Sequence, residues 1–211
     1  MFDPDVYYQT RFEFDARRSL VWKCLCEWLQ PRVPAQGAVL EIGAGYCDFI
    51  NNIRAGKKIA VDIAQIVKKA AAPDVETHIG SCENLDFIAD ANLDVVFASN
   101  LLEHLSVANG LKTIQEAYRV LKKGGQLIII QPNFRCSFRE YFDDYTHLSI
   151  YTDVSLADLI RGAGFQITQV EPRFMPLSMK GKLPVSRWLI WLYLRSPIRP
   201  KAGQMLIIAR K

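Results

Sequence analysis

The stretch "VLEIGAGYCDF" (residues 39–49) decides how this chain is read. Val39, Leu40 and Ile42 form an apolar run that carries one acid, Glu41, and Gly43 and Gly45 follow at once. An apolar strand running straight into glycines is the mark of a first βα turn. Its backbone turns tightly there and comes close to a ligand at the carboxyl edge of a sheet.

The flanking sequence supports that placement. Apolar runs at 38–42, 57–63, 75–79, 93–99 and 126–131 read as strands, and segments near 46–55, 64–72, 82–89 and 109–122 read as helices between them. Leu111, Ile114, Tyr118 and Leu121 share one face of the last helix. Near-continuous apolar strands that alternate with helices predict a parallel sheet covered on both faces, an α/β fold. Upstream, Val21, Leu25, Trp28 and Leu29 recur at helical spacing until Pro31 ends the pattern. Downstream, Leu156, Leu159, Ile160 and Ala163 mark another helix that stops at Gly164, and the strands "FQITQVEPRF" and "QMLIIARK" follow. The expected organisation is a single domain over 1–211, with an N-terminal helical cap at 1–36. Residues 132–154 and 175–203 do not fit the alternation. Long irregular segments of this kind in a compact domain are usually functional loops, so both read as insertions on the substrate side.

Composition bounds the function. The chain of 211 residues is 50% hydrophobic and 23% charged, ordinary for a globular protein. The start, "MFDPDVYYQTRFEFDARR", has no apolar core of a secretory signal. The apolar run "WLIWLYL" (188–194) is far shorter than the roughly 20 residues of a membrane-spanning helix. A cytoplasmic location is therefore expected. Five cysteines without CxxC spacing, and His78, His104 and His147 without HxxxH spacing, give no expectation of a metal site. The net charge of +4 is uneven: Arg173 to Lys211 holds nine Lys or Arg and no acid. Either an anionic partner or a solvated basic rim accounts for it.

The ligand of the turn follows from its acids. A dinucleotide fingerprint would place its third glycine at 48, where this chain has Asp48, the wrong charge beside a pyrophosphate. Glu41 and Asp48 suit instead a ligand with an ammonium and a cationic sulfonium. Asp62, ending the second strand, is placed to accept from ribose hydroxyls. Together, "EIGAG" with Asp62, "GSCENLDF" (80–87), "LDVVFASNLLEHL" (93–105) and "EAYRVLKKGGQLIIIQPN" (116–133) resemble the successive motifs of class I S-adenosylmethionine-dependent methyltransferases, type 11 in particular. The likeness runs over about 38–133 and resumes at "LIRGAGF". It implies a Rossmann-like, doubly wound, mostly parallel seven-stranded sheet with an antiparallel last strand. It also implies S-adenosyl-L-methionine as cofactor, with Glu41, Gly43, Ala44 and Gly45 at its methionine end. Asp62 goes to the ribose, Ile63, Ser81, Cys82 and Glu83 to the adenine, and Asn100 and Leu101 to the reactive side. Two departures stand out: Cys47 occupies the place of a common third glycine, and Ser81 that of a common Asp or Asn.

A hydroxyl acceptor would need a base as well as a positioned methyl group. His104 follows the fourth strand at the ligand edge, and a packing role at a helix start is its alternative. The insertion 132–154 interleaves aromatic and polar residues: His147 and Asp143 are its candidate catalytic residues, and Arg135, Tyr141, Tyr145 and Tyr151 its candidate substrate contacts. This segment resembles type 11 members associated with bacterial surface-polysaccharide biosynthesis, which implies O-methylation of a sugar-containing or small-molecule acceptor, including a nucleotide- or lipid-linked glycan. Thr146 stands before His147 where an acid is commoner, so an acid partner for a histidine must come from Asp143 or Asp144. Trp188, Trp191, Leu192 and Arg195, flanked by Lys182, Arg187 and Arg199, form a short basic amphipathic helix. It either covers the acceptor pocket or rests peripherally on the inner membrane face. Tyr7 and Tyr8 are candidates to fold over the cofactor. The alternatives are a nucleic-acid methyltransferase, against which stands the lack of a base-flipping tetrapeptide, and a non-catalytic S-adenosylmethionine-binding partner protein. The sequence leaves the oligomeric state open.

Overall fold

The computed structural model describes residues 16–177 and 186–211. Tyr7, Tyr8 and Lys182 lie outside the described residues. The chain runs through α1 (Ala16–Leu29), a 3-10 turn, β1 (Ala38–Ile42), β2 (Lys57–Asp62), α2 (Ile66–Ala70), β3 (Val75–Ile79) and β4 (Leu93–Ser99). It continues through α3 (Val107–Val120), β5 (Leu121–Pro132), α4 (Phe134–Ser137), α5 (Asp153–Gly162), β6 (Gln166–Pro176), α6 (Arg187–Arg195) and β7 (Ala202–Arg210). The strands form one seven-stranded sheet in the order β3-β2-β1-β4-β5-β7-β6. β3 to β5 are parallel, and β7 lies antiparallel between β5 and β6, as expected.

The period of two along each strand explains the two layers of core. Val39, Val95, Phe97, Ile128 and Ile130 point to one face, under Val21, Trp22, Leu25 and Leu29 of α1 and Leu194 of α6. Leu40, Ile42, Val96, Ala98, Leu127 and Ile129 point to the other, under Ile114 and Ala117 of α3 and Leu156 and Ile160 of α5. Each fully buried aliphatic side chain contributes about 1.5–3 kcal/mol, so strands apolar on both faces are stable only between two helical layers. Ser106 caps α3 by accepting from the Asn109 N–H, and Thr152 and Ser155 close a capping box on α5.

Two expected helices are absent. Residues 46–55 form successive turns instead. Cys47 has φ 57°, outside the helical region, and the Ile50 N–H is drawn to Glu41 Oε2 (2.9 Å). Residues 82–89 also form turns. The Leu85 N–H donates to Glu116 of α3, and Arg119 donates to the carbonyls of Leu85 and Ile88, so this loop is stitched to α3.

α6 does not cover the cavity described below. It packs on α1, with Arg187 paired to Glu27 at 2.8 Å and Leu194 in the core, while Trp188 and Leu192 stay exposed. Among the basic residues at this end, Arg199 pairs with Glu171 and Arg195 lies over the Trp191 ring. No helix among the described residues is long and apolar enough to cross a membrane.

Candidate active site

The strand order reverses between β1 and β4, and open α/β sheets hold ligands outside their carboxyl edge at such a point. A cavity of about 490 Å³ opens there, within the range of small-molecule sites. Its walls differ in origin.

The first wall is the β1 turn and its neighbours. Gly43 has φ 64° and Gly45 φ 49°, the left-handed region, and a Cβ on Gly43 would stand 2.8 Å from Leu101 Cδ1. Cys47 adopts the same backbone region, which explains why glycine is at home in that place. Asp62 shapes the turn from β2: its Oδ2 accepts from the Gly45 N–H and its Oδ1 from the Ala64 N–H, both at 2.8 Å. Burial drives the Glu41 carboxyl well above the usual range, opposed by the Ile50 N–H bond. Asp48 differs from expectation, because its carboxylate is paired with Arg18 of α1 at 2.6 Å. Burial raises the Asp48 carboxyl, and Arg18 opposes that rise.

All eleven residues expected to meet the cofactor line this cavity. Glu41, Gly43, Ala44 and Gly45 come from the β1 turn, and Asp62 and Ile63 from the end of β2. Ser81, Cys82 and Glu83 come from the loop after β3, and Asn100 and Leu101 from the end of β4. Ser81 Oγ accepts from the Glu83 N–H, and Cys82 Sγ lies 3.4 Å from Thr113 Oγ1. Sequence reasoning missed Arg18 and Trp22 of α1 in this lining. No local pattern marks them, since they reach the turn only through packing.

The second wall comes from residues 102–105 and the insertion after β5. His104, Tyr145, Thr146 and Leu148 line it. The Leu148 and Ser149 N–H groups both donate to the Glu103 carbonyl, at 2.7 and 3.1 Å, and so fasten the insertion to the end of β4. His104 Nδ1 lies 2.9 Å from Thr146 Oγ1, whose hydroxyl donates to Asp144 Oδ1. A carboxylate only accepts, so the Thr146 oxygen accepts from His104 Nδ1–H, which puts the lone pair of the neutral ring on Nε2. Burial, with His147 nearby, lowers the His104 pKa to about 4, so the ring is neutral at pH 7.

The other expected residues are distributed differently. His147 sits behind His104, ring centroids 5.0 Å apart, and does not line the cavity. Asp143 is exposed, and Asp144 is linked to His104 through Thr146. Tyr141 is 0% exposed, donates to the Ser149 carbonyl and packs its ring on Phe134, Phe142 and His147. Tyr151 is buried in the second core layer. These two tyrosines are the core of the insertion, not substrate contacts. Arg135 points away, 3.8 Å from Asp153. Tyr145 lines the cavity while 71% exposed. The structure also gathers Glu103, His104 and His147, each with a donor atom within 4.8 Å of the others. No spacing rule could show that grouping, because His147 comes from another segment.

Residues 40–129 match the family model described as a methyltransferase domain. Over this stretch, somewhat under half of its length, the chain is similar to methyltransferase domains. The rest of the methyltransferase fold is seen in solved structures. An S-adenosylmethionine-dependent methyltransferase of Archaeoglobus fulgidus shares 23% identity at a TM-score of 0.71, over 99% of this chain and 100% of that one. A second, of Thermotoga maritima, gives 19% and 0.71 over 98% and 97%. Among curated proteins, an uncharacterized protein of Methanocaldococcus jannaschii is 32% identical over 127 residues, 59% of this chain and 58% of its own. The ubiquinone/menaquinone biosynthesis C-methyltransferase of Rhizobium meliloti is 27% identical over 60% of this chain and 57% of its own. The chain thus spans somewhat over half the length of these curated relatives. Family and fold together point to S-adenosylmethionine as the cofactor.

Proposed function

We propose that the protein is an S-adenosylmethionine-dependent methyltransferase that acts on a hydroxyl of a sugar-containing or other small polar acceptor. The methionine end of the cofactor would lie on the β1 turn, its ribose on Asp62, and its sulfonium methyl would face the second wall. Transfer breaks the methyl–sulfur bond and forms a methyl–oxygen bond, with the electron pair returning to sulfur. Positioning supplies much of the rate, and removal of the hydroxyl proton supplies more.

One observation carries the reading: a neutral His104, held by Thr146 and Asp144 with its lone pair on Nε2, on the wall opposite the cofactor turn. A hydroxyl, unlike an activated carbon nucleophile, calls for a group that takes up its proton or lowers its pKa. The exposed aromatic ring of Tyr145 at the same wall offers a flat face for a sugar. Nucleotide- and lipid-linked glycans are the acceptors to screen first.

The test is calorimetric titration with S-adenosylhomocysteine and NAD, then an acceptor screen with labelled S-adenosylmethionine. Micromolar binding of S-adenosylhomocysteine, with label appearing on a sugar hydroxyl, is the expected result. Binding of NAD alone would overturn the cofactor reading, and label confined to carbon or nitrogen acceptors would overturn the hydroxyl reading.

A further inference from the structure

We propose that Glu103, His104 and His147 bind one divalent transition cation behind the second wall, and that the acceptor's hydroxyl reaches it beside His104, the one of the three that lines the cavity. This rests on the hydroxyl reading above and states how the second wall acts on that hydroxyl. The three donor atoms lie within 4.8 Å of one another. Ligand atoms about 2.1 Å from a tetrahedral cation stand roughly 3.4 Å apart, so side-chain torsions have to close the set by little more than about 1 Å. Two imidazoles and a carboxylate suit zinc, manganese, cobalt or iron, and a three-ligand set leaves coordination positions for an outside oxygen.

A second observation points to a ligand independently. Glu103 is 1% exposed, and neither carboxylate oxygen has a hydrogen-bond partner from another described residue; its own backbone N–H opposes only part of the rise in pKa that burial causes. Buried polar atoms in native proteins are nearly always satisfied, and leaving a carboxyl unsatisfied is costly. A proton on one oxygen would not settle the matter, because that O–H would itself need an acceptor. A cation satisfies the group directly. The charged neighbour that Glu103 feels is Asp144, another acid, so the surroundings favour positive charge.

The surrounding bonds are those of a metal site's outer layer. Ligating histidines commonly donate their second ring nitrogen to an oxygen partner, which fixes the tautomer and the ring plane. His104 does so, through Nδ1 to Thr146 and on to Asp144. The Leu148 and Ser149 bonds to the Glu103 carbonyl hold His147 beside it from the other segment. A hydroxyl bound to the cation would have its pKa lowered by Lewis-acid polarisation. Its proton would leave to water, and the resulting alkoxide would attack the sulfonium methyl to give the neutral thioether and the methyl ether.

The experiment uses the full chain, stripped with chelator and titrated with Co²⁺. Visible absorption that rises to one cation per chain, and is displaced by Zn²⁺, is the expected result. Glu103→Gln and His147→Gln should each weaken Co²⁺ binding at least tenfold and leave S-adenosylhomocysteine affinity unchanged. If Glu103→Gln does not fold, His147→Gln at its half-buried position carries the test. The inference is overturned by absent Co²⁺ absorption, by equal binding in the variants, or by hydroxyl methylation that persists after chelation. That last result would leave the function standing, with His104 alone taking the proton. Cation binding without S-adenosylhomocysteine binding would keep the site and defeat the functional reading instead.

Discussion

The two walls of the cavity were made in different ways. The first wall consists of strand ends and the residues just after them, so each position follows from where β1, β2, β3 and β4 stop. The second wall joins residues 102–105 to 145–148, segments some forty residues apart that meet through loop bonds. Chemistry common to a fold sits on the regular part, and chemistry that selects an acceptor sits on the irregular part.

Substitutions can break that division. The largest effect is expected at Asp62, whose two oxygens hold backbone N–H groups on both sides of the ligand edge. Charge-assisted bonds contribute about 1.5–3 kcal/mol each, so Asp62→Ala should weaken S-adenosylhomocysteine binding by about 100-fold or more in a calorimetric titration. Unchanged affinity would remove the first wall from cofactor binding and end the comparison.

Next comes the second wall. Thr146→Val cuts the link from His104 to Asp144, and turnover of a hydroxyl acceptor should fall by about 10-fold or more, with cofactor affinity unchanged. Nitrogen-15 chemical shifts should show the Nδ1–H tautomer of His104 in the parent and a mixture in the variant. A matching loss of cofactor affinity would mean that the walls are not separable. Gly43→Ala tests the first wall more gently. The new Cβ meets Leu101 at a left-handed φ, a strain of about 1–2 kcal/mol, so affinity should fall by about tenfold. Adding Leu101→Ala should restore part of it.

The smallest effect concerns the loop that carries Ser81, Cys82 and Glu83. Hydrogen bonding from Arg119 holds the Glu116 carboxyl below its usual range. A depressed carboxyl contributes stability that is present above its unfolded pKa, about 4.3, and is lost as pH falls through the folded value. Glu116→Gln should therefore flatten the acid limb of the stability curve and cost about 1 kcal/mol or less at pH 7, measured by denaturant melts from pH 3 to 7.

The same contrast explains what could be read without coordinates. The sheet, its antiparallel last strand and the residues that line the first wall of the cavity were legible in apolar period, glycine placement and family motifs, because strand ends convert sequence position into spatial position. The missing helices at 46–55 and 82–89 were not legible. Their backbone groups are claimed by Glu41, Glu116 and Arg119 from elsewhere in the chain. Nor was the choice of Asp144 over Asp143, since neighbours in a loop point where its turns send them. Tyr141 and Tyr151 misled for a related reason: an insertion this long needs a small core of its own, and its aromatic residues supply one. The trio of Glu103, His104 and His147 needed the loop folded back before it existed at all.

The paired bonds from Leu148 and Ser149 to the Glu103 carbonyl have a consequence for how such a catalyst can be altered. The insertion hangs from the 3-10 turn after β4 as from a fixed bracket, so the width of the cavity between its two walls is set by the scaffold and not by how the loop tip is built. Exchanging residues near Tyr145 should retune which molecule is accepted without moving the point of transfer, which makes that tip a natural graft site for redirecting the enzyme.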